Sequence, residues 1–199
     1  MAELDIGSYF RPMRRNLHCG DFVLLARTES VNVVGIVDIA GHGYHAFNAG
    51  RPVVAKLKQL ISESVTDPVH ILEAAHELLK GSPGAAVGVL AIEGDSAVFA
   101  GVGNIRCLHV MIDNDHNAKC LYIASRDGLV GVRLHTPYVH KIALSPGHLI
   151  ILHSDGVGSS LGDWNVRQMY TGSSLSVAKA IVDRYGRDSD DASCAVVRR

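Results

Sequence analysis

The sequence predicts an α+β fold built mainly from antiparallel sheet, on three observations. Apolar runs of strand length dominate the chain. Short turns rich in Gly, Asn and Asp join successive runs, which favours antiparallel pairing. Helical patterns are set apart from the strands rather than alternating with them, which argues against repeated βαβ units. The 199 residues fit one large domain spanning 1–199. With 47% apolar and 20% charged residues, the chain can bury a sizeable core and is not a disordered tail.

The elements follow in chain order. Asp21–Ala26 and Val31–Val37 flank the polar Thr28-Glu29-Ser30 and read as a hairpin. Ala46, Ala49, Val53, Leu57, Leu60 and Ile61 recur at three and four, giving a helix that Pro52 kinks or starts. Asp67-Pro68 opens a second helix, Asp as cap and Pro at the first position. Ile71, Leu72, Ala75, Leu78 and Leu79 share one face of it, and Gly81-Ser82-Pro83-Gly84 stops it. Strands then run over Ala85–Ile92, Ser96–Val102, Ile105–Ile112, Lys119–Ala124, Tyr138–Leu144 and His148–His153. Gly101-Val102-Gly103-Asn104 lacks the third Gly and the following helix of a dinucleotide loop, and reads as a tight hairpin. An amphipathic helix over about Ser174–Tyr185 precedes a last strand, Ala192–Val197.

Composition excludes several function classes. Nineteen Lys+Arg against twenty Asp+Glu leave no basic excess, so neither nucleic acid nor an anionic membrane is the expected partner. No apolar run reaches the roughly 18 residues of a membrane span, and the first residues do not resemble a signal peptide. Cys19, Cys107, Cys120 and Cys194 form no CxxC pair and read as reduced thiols in a cytoplasmic protein. Cys19 lies in no phosphate-cradling CxxxxxR loop, and no GxxxxGK[ST] occurs. His42 and His45 lack the HExxH pattern and read as a helix-start and surface pair.

The acidic residues at strand ends carry more information. Asp38 ends the run VVGIV and precedes Ile39-Ala40-Gly41-His42-Gly43. Asp155 ends HLIILHS and precedes Gly156. Asp21 starts FVLLA, and Asp190 with Asp191 precede ASCAVV. Any one Asp beside a Gly simply caps a turn. In antiparallel sheet, however, C-terminal ends of some strands and starts of others share one rim. Carboxylates converging there repel and raise one another's pKa. A hard divalent cation such as Mg²⁺ or Mn²⁺ removes that cost.

Taken in order, these residues resemble a known family. Gly20-Asp21, Asp38-Ile39-Ala40-Gly41-His42-Gly43, Gly84-Ala85-Ala86, Ala100-Gly101-Val102-Gly103-Asn104-Ile105-Arg106, His153-Ser154-Asp155-Gly156-Val157 and Asp190-Asp191-Ala192-Ser193 are similar to the motifs of metal-dependent protein phosphatases (PPM, protein phosphatase 2C-like), in the bacterial SpoIIE-type branch. Within that branch the Cys19-Gly20-Asp21 start and the chain length look most like the small phosphatases that reset stressosome signalling.

The resemblance implies a four-layer αββα sandwich of two mainly antiparallel sheets flanked by helices. It implies a Mn²⁺- or Mg²⁺-dependent serine/threonine phosphatase, with two ions and no covalent intermediate. Asp38 would bridge the ions, beside the backbone carbonyl of Ile39. Asp155 and Asp190 would bind one ion, with Asp191 the second choice at that position. Asp21 would serve the other, directly or through water. The implied partners are phosphorylated regulatory proteins of a stress-signalling module, such as STAS-domain stressosome scaffolds. Two departures stand out. Ala40 occupies the place of the His proposed as general acid in eukaryotic members, and Arg14 and Arg15 lack the spacing of the phosphate-binding Arg. The alternative is a catalytically weak module of the same fold that regulates by docking.

Overall fold

The computed structural model describes residues 4–112, 118–158 and 172–199. In chain order the elements are β1 (Asp5–Arg11), β2 (Asp21–Arg27), β3 (Val31–Ile39), α1 (Gly43–Ser62), α2 (Pro68–Leu79), β4 (Ala85–Glu93), β5 (Ser96–Val102), β6 (Arg106–Ile112), β7 (Ala118–Ile123), β8 (Tyr138–Ala143), β9 (Leu149–His153), α3 (Ser174–Tyr185) and β10 (Ala192–Arg198). They form two five-stranded sheets, ordered β1-β10-β9-β6-β7 and β2-β3-β4-β5-β8. Every strand pairing in both is antiparallel. The α+β sandwich expected from the sequence is therefore observed.

Three apolar clusters hold the four layers together. One joins α1 and α2 to the outer face of the β2–β8 sheet, through Leu57, Ile61, Leu72, Leu79, Val37 and Val89. A second fills the space between the sheets, around Ile36, Leu90, Phe99, Ile150, Leu152 and Val197. The third packs α3 on the other sheet, through Val177, Ile181, Val182, Leu108, Ile151 and Val196. β3 and β10 are covered on both faces, so they read as nearly continuous apolar runs rather than alternating ones.

Local chemistry explains the helix limits. Asp67 accepts backbone N–H bonds from Val69 (2.8 Å) and His70 (3.2 Å), with Pro68 at the first helical position. Ser173 caps α3 by accepting from Ser176 N. Pro52 neither starts nor ends α1, which runs uninterrupted from Gly43 to Ser62. The packing of Val53, Val54, Leu57 and Ile61 outweighs one missing backbone bond.

Two features differ from the sequence reading. β1 was not anticipated; it pairs along its whole length with β10. The GVGN stretch is not a hairpin: β5 and β6 lie in different sheets, so it carries the chain across the sandwich. Gly103 makes that crossing at φ +94°, and a Cβ there would sit 2.6 Å from that of Ala86. Ser145-Pro146-Gly147 crosses in the same direction, from β8 to β9, at the opposite end of the sandwich. No helix of the described residues is long and apolar enough to span a membrane.

Candidate metal centre

The crossing from β5 to β6 and four strand ends build one rim. β2 and β3 pair so that Asp21 lies directly opposite Asp38. β10 packs against β2 and β3, and β9 against β3. The turns after β9 and before β10 therefore bring Asp155 and Asp190 over the same end of the sandwich. Asp38, Asp155 and Asp190 line one cavity of about 230 Å³, with Ala40, Gly41, His42, Ala86, Asn104 and Leu129.

Gly156 permits this approach. A Cβ on it would fall 1.8 Å from the carbonyl oxygen of Asp191, so no side chain fits between the two turns. Asn104, delivered by the crossing, donates from Nδ2 to Asp155 Oδ2 at 2.7 Å. His42 precedes α1 and lies 3.3 Å from Asn16, Nδ1 to Nδ2.

The remaining expected residues stand apart from the cavity. Asp21 is buried behind Asp38 rather than lining it. Ile39 has its side chain in the core, with Asp38 and Ala40 on either side bordering the cavity. Asp191 is buried and turned to the backbone: Oδ1 accepts from Met13 N and Oδ2 from Gly20 N, both at 2.7 Å. Arg14 pairs with Asp188 at 3.2 Å, away from the cavity. Among the described residues no Lys or Arg lines it. Sequence reasoning gave His42 no role here and did not single out Asn104. The signal available for both was their place beside conspicuous glycines.

The electrostatics follow from this crowding. Burial first, then the charges of Asp21, Asp155 and Asp190, push the Asp38 carboxyl up to about 9. Burial pushes Asp21 up to about 6, tempered by Ser154 and Ser193 and reinforced by Asp191 and Asp190. Asp190 is also raised, by burial and then Asp155. Asp21 Oδ2 is buried with no hydrogen-bond partner at all among the described residues. Burial, then Asp21 and Asp191, raise the Cys19 thiol, which rules it out as a ready nucleophile. Burial lowers His153 to about 4, so it is neutral near pH 7.

These residues fit hard divalent cations. Every side-chain donor in the expected ligand set is a carboxylate oxygen, and one of them is buried and unsatisfied. Among the described residues no three Asp, Glu, His or Cys side chains are gathered closely enough to hold an ion as they stand. The arrangement is instead a rim of carboxylates around an open cavity.

The profile of the family described as "Stage II sporulation protein E (SpoIIE)" matches residues 29–199. The chain belongs to the SpoIIE family. The match takes in every rim residue except Asp21. A search of curated protein sequences finds no match. Among solved structures, one described as "The bacterial stressosome: a modular system that has been adapted to control secondary messenger signaling" superposes with a TM-score of 0.85 at 26% identity. That alignment covers 99% of this chain and 100% of that one. RsbX in complex with magnesium gives 0.75 at 18% identity, covering 98% and 94%. The catalytic domain of the serine/threonine protein phosphatase PstP, with two manganese ions, gives 0.74 at 15%, covering 98% and 97%. The latter two share the fold with this SpoIIE-family chain, and the likeness to RsbX is structural.

Proposed function

We propose that this SpoIIE-family chain is a metal-dependent protein serine/threonine phosphatase. Its substrate would be phosphoserine or phosphothreonine on a regulatory protein of a bacterial stress-signalling, partner-switching module. The observation that carries this reading is a cavity of about 230 Å³ bordered by three carboxylates and, among the described residues, by no Lys or Arg. Such a cavity repels a phosphoryl group unless cations first invert its charge. It is also smaller than sites that enclose a whole small molecule, so it suits a phosphoryl group whose carrier stays outside.

Asp38 would hold both ions with the Ile39 carbonyl, Asp155 and Asp190 one of them, and Asp21 the other, directly or through water. Asp190 is favoured over Asp191, whose two oxygens already accept backbone N–H groups. Divalent cations bound there would supply an acidified water and offset charge on the phosphoryl oxygens. The chain's own residues then orient and move protons. Asn104 donates to Asp155 Oδ2 and would help to orient it. His42 borders the cavity and is the lining side chain, carboxylates apart, that can give a proton to the departing serine or threonine oxygen. Ala40 leaves that task to His42 or to solvent. The structural likeness to a structure from stressosome work and the free cysteines fit a cytoplasmic setting.

The test is phosphate release from a phosphoserine peptide and from an aryl phosphate. Release should require Mn²⁺ or Mg²⁺ and stop with EDTA. No release from either substrate by metal-replete protein would overturn the reading.

A further inference from the structure

A second concavity lies beside the rim and shares only Asp21 with the chemistry above. It has a volume of about 440 Å³ and lies between β2 and α1, with the segment after β1 along its border. Phe22, Phe47 and Val54 supply apolar lining, with the Phe22 and Phe47 rings stacked 5.8 Å apart. Leu17 stands over it at 94% exposure, and Phe10 beside it is half exposed. An apolar side chain left this bare next to an apolar groove is not explained by packing within the chain.

Charge and backbone indicate what the groove takes. Phe47, Arg51, Val54, Ala55 and Lys58 fall on one stripe of α1, at spacings of three and four. Arg51 and Lys58 are exposed and make no ion pair or hydrogen bond among the described residues. α1 carries Arg51, Lys56 and Lys58 and no carboxylate. The one carboxylate lining the groove, Asp21, is buried at its inner end. Among the described residues β2 is the outer strand of its sheet, hydrogen-bonded as a ladder to β3 alone. An outer strand beside a groove favours an extended chain.

We propose that this groove docks an extended acidic segment of the protein substrate, inserting one large apolar side chain while its carboxylates meet Arg51 and Lys58. Asp21 links the two sites: it ends the groove and lies directly across the ladder from Asp38 of the rim. A segment held here would present a nearby phosphoresidue to the cavity. The substrate role rests on the phosphatase reading; binding in the groove does not.

The test uses the full chain and three labelled, unphosphorylated 12-residue peptides, read by fluorescence anisotropy. One has a central Phe flanked by Asp and Glu, one the same Phe flanked by Lys, and one a Ser in place of Phe with the acidic flanks. The first should bind best, by about fivefold or more over each control, as expected for two solvent-facing ion pairs plus one buried ring. The preference should fall about tenfold in Arg51→Glu/Lys58→Glu and be weakened in Leu17→Ser, a change at a bare position that leaves the core intact. Equal binding of all three peptides, or none, overturns the proposal. So does binding to phosphatidylserine vesicles without peptide preference, which would assign the surface to a membrane. Phosphoserine versions then compare kcat/KM. If the acidic peptide binds but no phosphopeptide is cleaved, the phosphatase reading fails and the groove stands.

Discussion

The two sheets supply the same rim in different ways. Asp21 and Asp38 sit inside the β2–β3 ladder, where strand register sets them opposite one another. Asp155 and Asp190 sit just outside β9 and β10, in turns. Asp21 is the most buried of the four, and the ladder pair carries carboxyls raised to about 6 and about 9. On the turn side, Asp155 accepts from Asn104, and Asp190 Oδ1 accepts from the Asp191 N–H. One half of the rim is thus set by strand register and holds the two most strongly raised carboxyls. The other is set in turns by hydrogen bonds. In the proposed metal centre the first half would be the costlier to ionise without cations.

The largest expected effect separates the halves directly. Asp38→Asn should cut phosphate release by about a thousandfold or more, since loss of ion-mediated charge stabilisation is worth several kcal/mol and each 1.36 kcal/mol is tenfold. The same change should raise the Tm of metal-free protein at pH 8, because it removes a buried carboxyl that resists ionisation. Asp155→Asn should also lower activity, yet raise the metal-free Tm less than Asp38→Asn does, because it removes a charge that crowds Asp38 and Asp190 rather than the most strongly raised carboxyl itself. Calorimetric melts and phosphate release on both variants check this. Equal Tm responses would erase the distinction between ladder and turn.

Asp190 and Asp191 offer a second break, between neighbours. Asp191→Ala should destabilise by about 2–4 kcal/mol, because two backbone N–H groups, of Met13 and Gly20, lose a charged acceptor. Asp190→Ala should change stability far less and weaken Mn²⁺ binding instead. Chemical denaturation and metal titration on the pair decide it. A stable Asp191→Ala protein that loses metal affinity would reverse the assignment.

The pH response of the ladder pair has a definite sign. A carboxyl whose pKa is raised on folding favours the native state fully below its unfolded value, near 4. That contribution is lost as pH rises through about 6 for Asp21 and about 9 for Asp38. The Tm of metal-free protein should therefore decline between pH 4 and 9 more steeply than that of Asp38→Asn. Saturating Mn²⁺ should flatten the difference. Parallel Tm profiles for the two proteins would show that the ladder pair ionises freely.

Much of this rim was readable beforehand, for identifiable reasons. Asp21 and Asp38 bracket a hairpin, and a hairpin's first and last residues must face each other. Asp155 and Asp190 could be placed because strands β9 and β10 read clearly as apolar runs. The choice between Asp190 and Asp191 could not, since it depends on backbone N–H groups about 170 residues earlier in the chain. β1 escaped notice because its seven residues, DIGSYFR, include Gly7, whose missing side chain admits the backbone of α3 at Leu175. The GVGN turn misled because local turn chemistry does not say which sheet receives the next strand.

The smallest effect belongs to Asn104, and it tests whether the turn side is held at all. Its amide reaches Asp155 from the other sheet at 2.7 Å, so it steadies one carboxylate oxygen while leaving the other free. Hydrogen-bond partners of metal ligands typically account for about ten- to a hundredfold in metal affinity. This contact is exposed, so Asn104→Ala should cost no more than about tenfold in Mn²⁺ affinity, with Tm almost unchanged. Asn104→Asp should do the opposite to the electrostatics: a further carboxylate on the cavity wall deepens repulsion in metal-free protein and increases its stabilisation by Mn²⁺. Metal-dependent thermal shifts distinguish the two without measuring turnover. If Asn104→Ala and wild type show the same shift at every Mn²⁺ concentration, Asp155 is positioned by its own turn and the crossing contributes nothing to it.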